Sequence, residues 1–331
     1  MDKIDFVITW VDGNDAAWQK ERDKYKKVKD GDNRNVRFRD WENLQYLFRG
    51  IEEFTPWVNK VHFITWGHVP KWLKEEHPKL NIVKHSDFIP EEYLPTFNSH
   101  TIELNLHRIE GLAEKFVYFN DDTFITKEMK EVDFFKKGLP SDSAILSPVI
   151  GNFRGSISPI IINNMEIINS TFQKSKVLKN NWKKWFHPLY KKDNISTLLL
   201  LPWSKFVGFK NPHLPVSYLK ETFTILWNLE EDLLDTTCKF KFRSKQNINH
   251  WLMRYWQLVN GKFTPRDTKI GYCYSMTNNN KHIFNAIKNK KFYLTCVNDN
   301  DSDPINDFEL EKESLIDAFE HILPNKSSFE K

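Results

Sequence analysis

The sequence predicts an α/β fold, a parallel sheet flanked by helices. Three observations lead there. Short apolar runs of strand length recur through the first third of the chain. Segments with a 3.6-residue apolar period lie between them. The runs end in polar or acidic clusters, which such a sheet would gather along one edge.

Ile4–Thr9 reads as the first strand and ends in Trp10-Val11-Asp12-Gly13-Asn14-Asp15. Asp40 can cap a helix that puts Leu44, Leu47, Phe48, Ile51 and Phe54 on one face. Pro56 ends it. Val61–Thr65 is a second strand, ending at Trp66-Gly67, and a short helix is expected after Pro70. Asn81–Lys84 is a third strand, ending at His85-Ser86-Asp87. Ser99 can cap a helix over 99–115 that buries Ile102, Leu106, Ile109 and Leu112. Phe116–Phe119 is the fourth strand and runs into Asn120-Asp121-Asp122. The order β-α-β-α-β-α-β gives a Rossmann-like or GT-A-like parallel sheet with helices on both faces.

Beyond Asp133 the pattern loosens. Ile157–Ile162 reads as a strand and Asn163–Phe172 as a short helix. Lys174–Lys192 is basic and aromatic, and is open to two readings, a mobile lid or a helical accessory element. Phe242–Leu258 reads as a helix. Lys291–Val297 reads as a strand ending in Asn298-Asp299-Asn300, and an amphipathic helix is expected after Asp307. We read one catalytic domain over 1–331. In it, 4–135 is a nucleotide-binding core, 170–200 an accessory segment, and 205–305 the part that completes the site.

Composition narrows the function. The 331 residues suffice for one large domain or two ordinary ones. Only 11 are glycine, and neither G-x-x-x-x-G-K nor G-x-G-x-x-G occurs, which argues against glycine-rich phosphate loops. A net charge of +4 does not point to nucleic acid. Lysines cluster at Lys174–Lys192 and Lys281–Lys291, either as solvated faces or as contacts to anionic lipid or polymer. Cys238, Cys273 and Cys296 have no metal-ligand spacing, and their odd number favours a reducing compartment. No signal peptide is evident at Met1-Asp2-Lys3, and no apolar run is long enough to span a bilayer. These features predict a cytoplasmic protein able to touch the inner face of a membrane.

Asn120-Asp121-Asp122 is the strongest chemical signal. Carboxylates where a strand ends suit Mg²⁺ or Mn²⁺ bound to substrate phosphate, although Asn and Asp are also ordinary turn residues. Glu103, His107 and Glu110 would share one polar stripe of the 99–115 helix, as a solvated face or with Glu103 as an acid, a base or a substrate contact. His213 lies in Asn211-Pro212-His213-Leu214-Pro215, a rigid way to hold a general base if it is more than a surface histidine. Arg243 is a candidate phosphate clamp.

These residues resemble the Stealth protein family. Ile4-Asp5-Phe6-Val7-Ile8-Thr9-Trp10-Val11-Asp12-Gly13 is similar to its first conserved block. Arg37-Phe38-Arg39-Asp40 through Asn120-Asp121-Asp122 is similar to its second, including Pro56-Trp57-Val58 and Gly67-His68-Val69-Pro70. Pro212-His213-Leu214-Pro215 through Arg243 resembles the third, and Cys296-Val297-Asn298-Asp299-Asn300 the fourth. The departures are Asp12, where some relatives carry Asn, and Ser244-Lys245 in place of a polar pair.

The resemblance implies a sugar-1-phosphate transferase of bacterial capsule or cell-surface polysaccharide synthesis, related to the animal GlcNAc-1-phosphotransferase. It implies a UDP-hexose donor such as UDP-GlcNAc, and Mg²⁺ or Mn²⁺. The acceptor would be a polysaccharide or a lipid-linked glycan, and UMP the product. On this reading the catalytic residues fall on Glu103, Asp122, His213 and Arg243. His213 is the first choice for the base on the acceptor hydroxyl, with Glu103 as the alternative. Asp121, Asp122 and Asp299 would serve the metal. Trp10, Asp12, Gly13, Asn298 and Asn300 would contact the nucleotide. A metal-dependent glycosyltransferase releasing UDP would use the same sheet and acidic cluster. A tryptophan-rich glycan-binding module is the non-enzymatic alternative.

Overall fold

Strand β1 (Ile4–Thr9) lies at the centre of a five-stranded sheet. The computed structural model describes residues 3–25, 40–151, 156–299 and 305–331. Helices α1 (Ala16–Tyr25) and α2 (Leu44–Phe54) follow β1, then strands β2 (Val61–Thr65) and β3 (Leu80–Lys84). The turn α3 (His85–Phe88) and the short helix α4 (Ser99–Leu104) lead to β4 (Lys115–Asn120) and β5 (Thr123–Ile125). Next come α5 (Glu131–Phe134), β6 (Phe135–Lys136) and β7 (Leu139–Asp142). A helical stretch follows: α6 (Ser158–Thr171), α7 (Lys174–Asn180), α8 (Trp182–Trp185) and α9 (Asp193–Leu199). Strand β8 (Val216–Leu219) precedes α10 (Lys220–Leu229), α11 (Glu231–Lys239) and α12 (Trp251–Val259). The chain closes with β9 (Thr264–Pro265), β10 (Gly271–Ser275), α13 (Lys281–Lys288), β11 (Leu294–Asn298) and α14 (Phe308–Ile322).

The main sheet runs β3-β2-β1-β4-β8. Its first four strands are parallel, as the sequence predicts, and all end at one edge. The fifth strand was not anticipated and is antiparallel to β4, pairing Val216 with Tyr118. A second sheet, β10-β11-β5, joins the same edge, because the Val297 amide donates to the Asp122 carbonyl (2.9 Å). Alternate β4 residues enter two cores. Phe116 and Tyr118 pack with α4, α6 and α10–α12, while Val117 and Phe119 pack with α2 and α14. A sheet buried on both faces requires apolar residues in both registers, which is why these strands read as continuous runs.

Several expectations fail for local reasons. The expected strand over Ile157–Ile162 is instead the N-cap and first residues of helix α6. Pro159 sits in its first turn, and Ile160, Ile161, Asn164, Met165, Ile167 and Ile168 make one buried helical face. No helix follows Pro70; the chain turns there, and Leu73 bridges to Glu330. The 99–115 helix stops at Leu104, where Asn105 donates back to the Thr101 carbonyl (2.8 Å), and Gly111 then takes φ +72°. Asn98, not Ser99, caps it by accepting the His100 amide (3.2 Å). Asp40 does not cap α2, because its carboxylate takes the Glu42 amide (2.7 Å). Residues 242–250 form a loop around the buried Asn247, so that helix begins at Trp251. In the basic 174–192 stretch, Val177, Leu178, Trp185 and Tyr190 are buried.

Candidate functional site

The ends of β1 and β2 build one wall. Thr9 Oγ1 bonds the Tyr118 hydroxyl (3.0 Å). Trp10 stacks on Phe63 and meets His68 edge-on. The Asp12 amide donates to His68 Nε2 (2.8 Å), and the Gln19 side chain donates to the Gly13 carbonyl (2.7 Å). Trp10 and Asp12 are thus half-buried and Gly13 buried, in a loop whose own hydrogen bonds fix it.

The end of β4 builds the floor. Thr123 Oγ1 donates to the Asn120 carbonyl (2.7 Å) and closes the Asn120-Asp121-Asp122 turn. Because β8 runs antiparallel, the residues before Val216 lie beside those that follow Tyr118. His213 therefore reaches the floor, with Nε2 3.3 Å from Asp122 Oδ2. It does so at φ +49°, a left-handed conformation that a non-glycine residue seldom takes. Desolvation works against the imidazolium, but the hydrogen bond and charge of Asp122 outweigh it and push His213 up to about 9. Its side chain stays 39% exposed, so solvent damps that coupling. Cys296 Sγ lies 3.5 Å from the same Asp122 oxygen and 3.1 Å from Cys273 Sγ.

Opposite stands a buried carboxylate. Glu103 is 5% exposed. Ser99, one helical turn earlier, donates to Glu103 Oε1 (3.1 Å) and accepts two bonds from the Arg243 guanidinium (2.6 and 3.0 Å). The Phe97 amide bonds the Lys241 carbonyl, and Phe97 stacks on Phe242, which sets Arg243 beside Ser99. Burial lifts the Glu103 carboxyl to about 7, against the opposing pull of Arg243, the His250 amide, Ser99 and His213. His250 is held neutral, down at about 3, by burial and by the charges of His213, Arg254 and Arg243. Glu103, Arg243 and His213 are thus close enough to couple electrostatically.

The structure brings together Glu103, Asp122, His213 and Arg243. At the turn, desolvation of the Asp121 carboxyl, with the charges of Asp122 and Asp40, raises it to about 7. Asn298 and Asp299 directly follow Val297, whose amide is bonded to the Asp122 carbonyl; Asn300 and Arg37-Phe38-Arg39 lie outside the described residues. His107 leaves the expected stripe: it sits on the turn after α4, stacked on Phe223, while Glu110 is exposed. Sequence reasoning missed Ser99 as a link, although its four-residue spacing from Glu103 was visible. It also took Asp40 only as a helix cap and the start of a conserved block, whereas its carboxyl is raised by burial and by Asp12. The pairing of Tyr118 with Thr9 was hidden.

A divalent ion fits this chemistry. Asp122 Oδ1 is buried without a hydrogen-bond partner while Oδ2 is engaged, which leaves one hard oxygen for a cation. Among the described residues, Asp122, His213 and Cys296 bring one potential ligand atom each within 4.8 Å. Nitrogen and sulfur are poor partners for Mg²⁺, so in this group Asp122 supplies the one hard oxygen.

The model of Stealth protein CR1, conserved region 1, matches residues 2–28, and that of CR2, conserved region 2, matches residues 37–142. The chain is 47% identical to the capsular polysaccharide phosphotransferase WcwK of Streptococcus pneumoniae, over 100% of this chain and 99% of that protein. It is 38% identical to the receptor polysaccharide phosphotransferase WefC of Streptococcus oralis, over 100% of both. It is 38% identical to the exopolysaccharide phosphotransferase cps2G of Lactiplantibacillus plantarum, over 99% of this chain and 96% of that one. Among solved structures, the galactosyltransferase LgtC is similar at TM-score 0.41 and 8% identity, covering 98% of each chain. The bifunctional glycosyltransferase WbbM is similar at TM-score 0.40 and 10% identity, covering 96% of this chain and 50% of its own. Both likenesses are too distant to bear on chemistry.

Proposed function

Because the chain belongs to the Stealth protein family, we propose that it is a hexose-1-phosphate transferase of polysaccharide synthesis. The donor is a UDP-hexose. The acceptor is a hydroxyl of a polysaccharide or lipid-linked glycan. The products are UMP and a phosphodiester. The observation that carries this reading is Glu103, a buried carboxyl near 7 that one serine ties to a guanidinium. A base with that pKa is matched to neutral pH, and the guanidinium beside it suits a phosphoryl group.

Glu103 takes the proton of the acceptor hydroxyl. The acceptor oxygen bonds to the sugar-bearing phosphorus, and the bond from that phosphorus to UMP breaks, with its electrons leaving on UMP. Arg243 holds the transferred phosphoryl oxygens. His213, an imidazolium while it faces Asp122, donates to the departing phosphate; this reverses the role the sequence suggested for it. Trp10, Asp12 and Gly13 line the nucleotide side. Asp122, with Asp121 and Asp299, would hold Mg²⁺ or Mn²⁺, which when bound supplies positive charge to the diphosphate.

The test is the nucleotide product. The protein is incubated with a panel of UDP-hexoses, Mg²⁺ or Mn²⁺ and a glycan acceptor, and UMP is separated from UDP. Acceptor-dependent UMP is expected. Acceptor-dependent UDP would overturn the proposal in favour of glycosyl transfer.

A further inference from the structure

Helix α9 is packed inside out. Its polar side chains face the protein: Thr197 is fully buried and accepts the Leu146 amide (3.1 Å), and Ser196 donates to the Leu146 carbonyl (2.7 Å). Its apolar side chains Ile195, Leu198 and Leu199 face outward, at i, i+3 and i+4. The turn that follows adds Leu201 and Trp203. These five side chains are 40–68% exposed. The turn is fixed in place, since the buried Lys174 ammonium donates to the carbonyls of Leu200, Leu201 and Trp203 (2.6, 3.3 and 2.7 Å). A contiguous apolar surface of this kind marks an interaction site.

Charge identifies what covers it. Between Ile167 and Pro212 the sequence has nine lysines and one acidic residue, Asp193. Asp193 is itself paired with Lys210 (2.9 Å). The whole chain is only +4, so the rest of the molecule is net negative and the positive charge is concentrated in this segment, even with the Lys174 ammonium turned inward. Two copies of such a face would repel each other. An anionic bilayer would attract it: leucines and isoleucine enter the acyl boundary, Trp203 sits at headgroup level, and lysines meet lipid phosphates. No helix among the described residues is long and apolar enough to cross a membrane, so contact would be from one side.

We infer that Ile195–Trp203 is a docking surface for the face of an anionic lipid bilayer. The segment leads through Phe206–Lys210 into the His213 loop, which would hold the cleft near the membrane.

The test is vesicle flotation of the full chain, which needs no turnover and stands apart from the proposed reaction. Vesicles of phosphatidylcholine alone are compared with vesicles that also contain phosphatidylglycerol. Binding is expected to the anionic vesicles and to weaken with salt. The double variant Leu198→Ser/Leu199→Ser should bind at least roughly tenfold more weakly, on the scale of removing a buried leucine. Its thermal melt should match that of the parent, since both positions are exposed. Failure to float with anionic vesicles overturns the inference, as does equal flotation of a folded double variant. A dimer in sedimentation that the double variant disperses, without vesicle binding, would assign the surface to a second copy instead.

Discussion

Glu103→Gln should cost activity and add stability, and the two effects have one cause. The Glu103 carboxyl ordinarily titrates near 4.5, and burial lifts it to about 7. A carboxyl whose folded pKa lies above its unfolded value makes the folded state less stable as pH rises between those values. That cost is small at pH 4 and complete above pH 7. It amounts to about 1 kcal/mol at pH 5 and roughly 3 kcal/mol at pH 8. Glutamine carries no charge and escapes it; keeping its one carbonyl oxygen on Ser99, it returns ~1 kcal/mol because its NH2 then faces the His250 amide. The variant should therefore be about as stable as the parent at pH 5 and roughly 2 kcal/mol more stable at pH 8. Denaturant melts at the two pH values read this directly. UMP release should fall by ~10²–10⁴ if the carboxyl is the base. A stability difference that does not change with pH would refute the raised pKa. Unchanged turnover would remove Glu103 from proton transfer.

Ser99→Ala removes a hydrogen bond that favours the Glu103 anion, worth ~1.5–3 kcal/mol. It should move the acidic limb of kcat/KM up by roughly one to two pH units, while Ser99→Thr keeps the limb in place; a loss equal at every pH would mean a purely structural role. Chelation should stop UMP release, and Mg²⁺ or Mn²⁺ should restore it. Asp122→Asn should raise the metal needed for half-maximal rate by at least about tenfold, and an unchanged metal titration would exclude Asp122 as a ligand. Arg254→Met breaks the buried two-bond pair with Asp142 (2.7 and 2.9 Å) and leaves that carboxylate only the Ser143 amide and the charge of Arg266. The expected loss is ~3–5 kcal/mol in a denaturant melt, and a loss under ~1 kcal/mol would show that water reaches Asp142.

β1, β2 and β4 were legible because burial on both faces makes them mostly apolar runs, while the edge strand β3 is only partly buried and showed through Leu80, Ile82 and Val83. β1 and β2 match the expected Ile4–Thr9 and Val61–Thr65 to the residue. Helices were harder, because their ends depend on side chains that compete for backbone groups. Asn105 and Gly111 cut short a helix whose apolar spacing alone would carry it on to residue 115. Ile157–Ile162 misled because a short isoleucine run suits a buried strand as well as a helix. Only the proline in its first turn and the later Met165, Ile167 and Ile168 decide for helix.

The site was legible in its parts and not in its assembly. Glu103 and Asp122 are both acidic residues beside predicted elements, and sequence treats them alike. Their roles separate only when Glu103 is sealed near the start of α12 and Asp122 is left half-exposed at a turn. His213 shows the limit most clearly. Its prolines predict a rigid loop, but rigidity does not say where the loop lies. That is decided by β8, four residues long and containing a serine, too short to give a strand signal. Were β8 parallel to β4, the residues before it would sit at the opposite edge of the sheet, far from Asp122. Because it is antiparallel, the same residues arrive at the edge where β1 to β4 end. The direction of one unremarkable strand thus determines whether this histidine belongs to the chemistry at all.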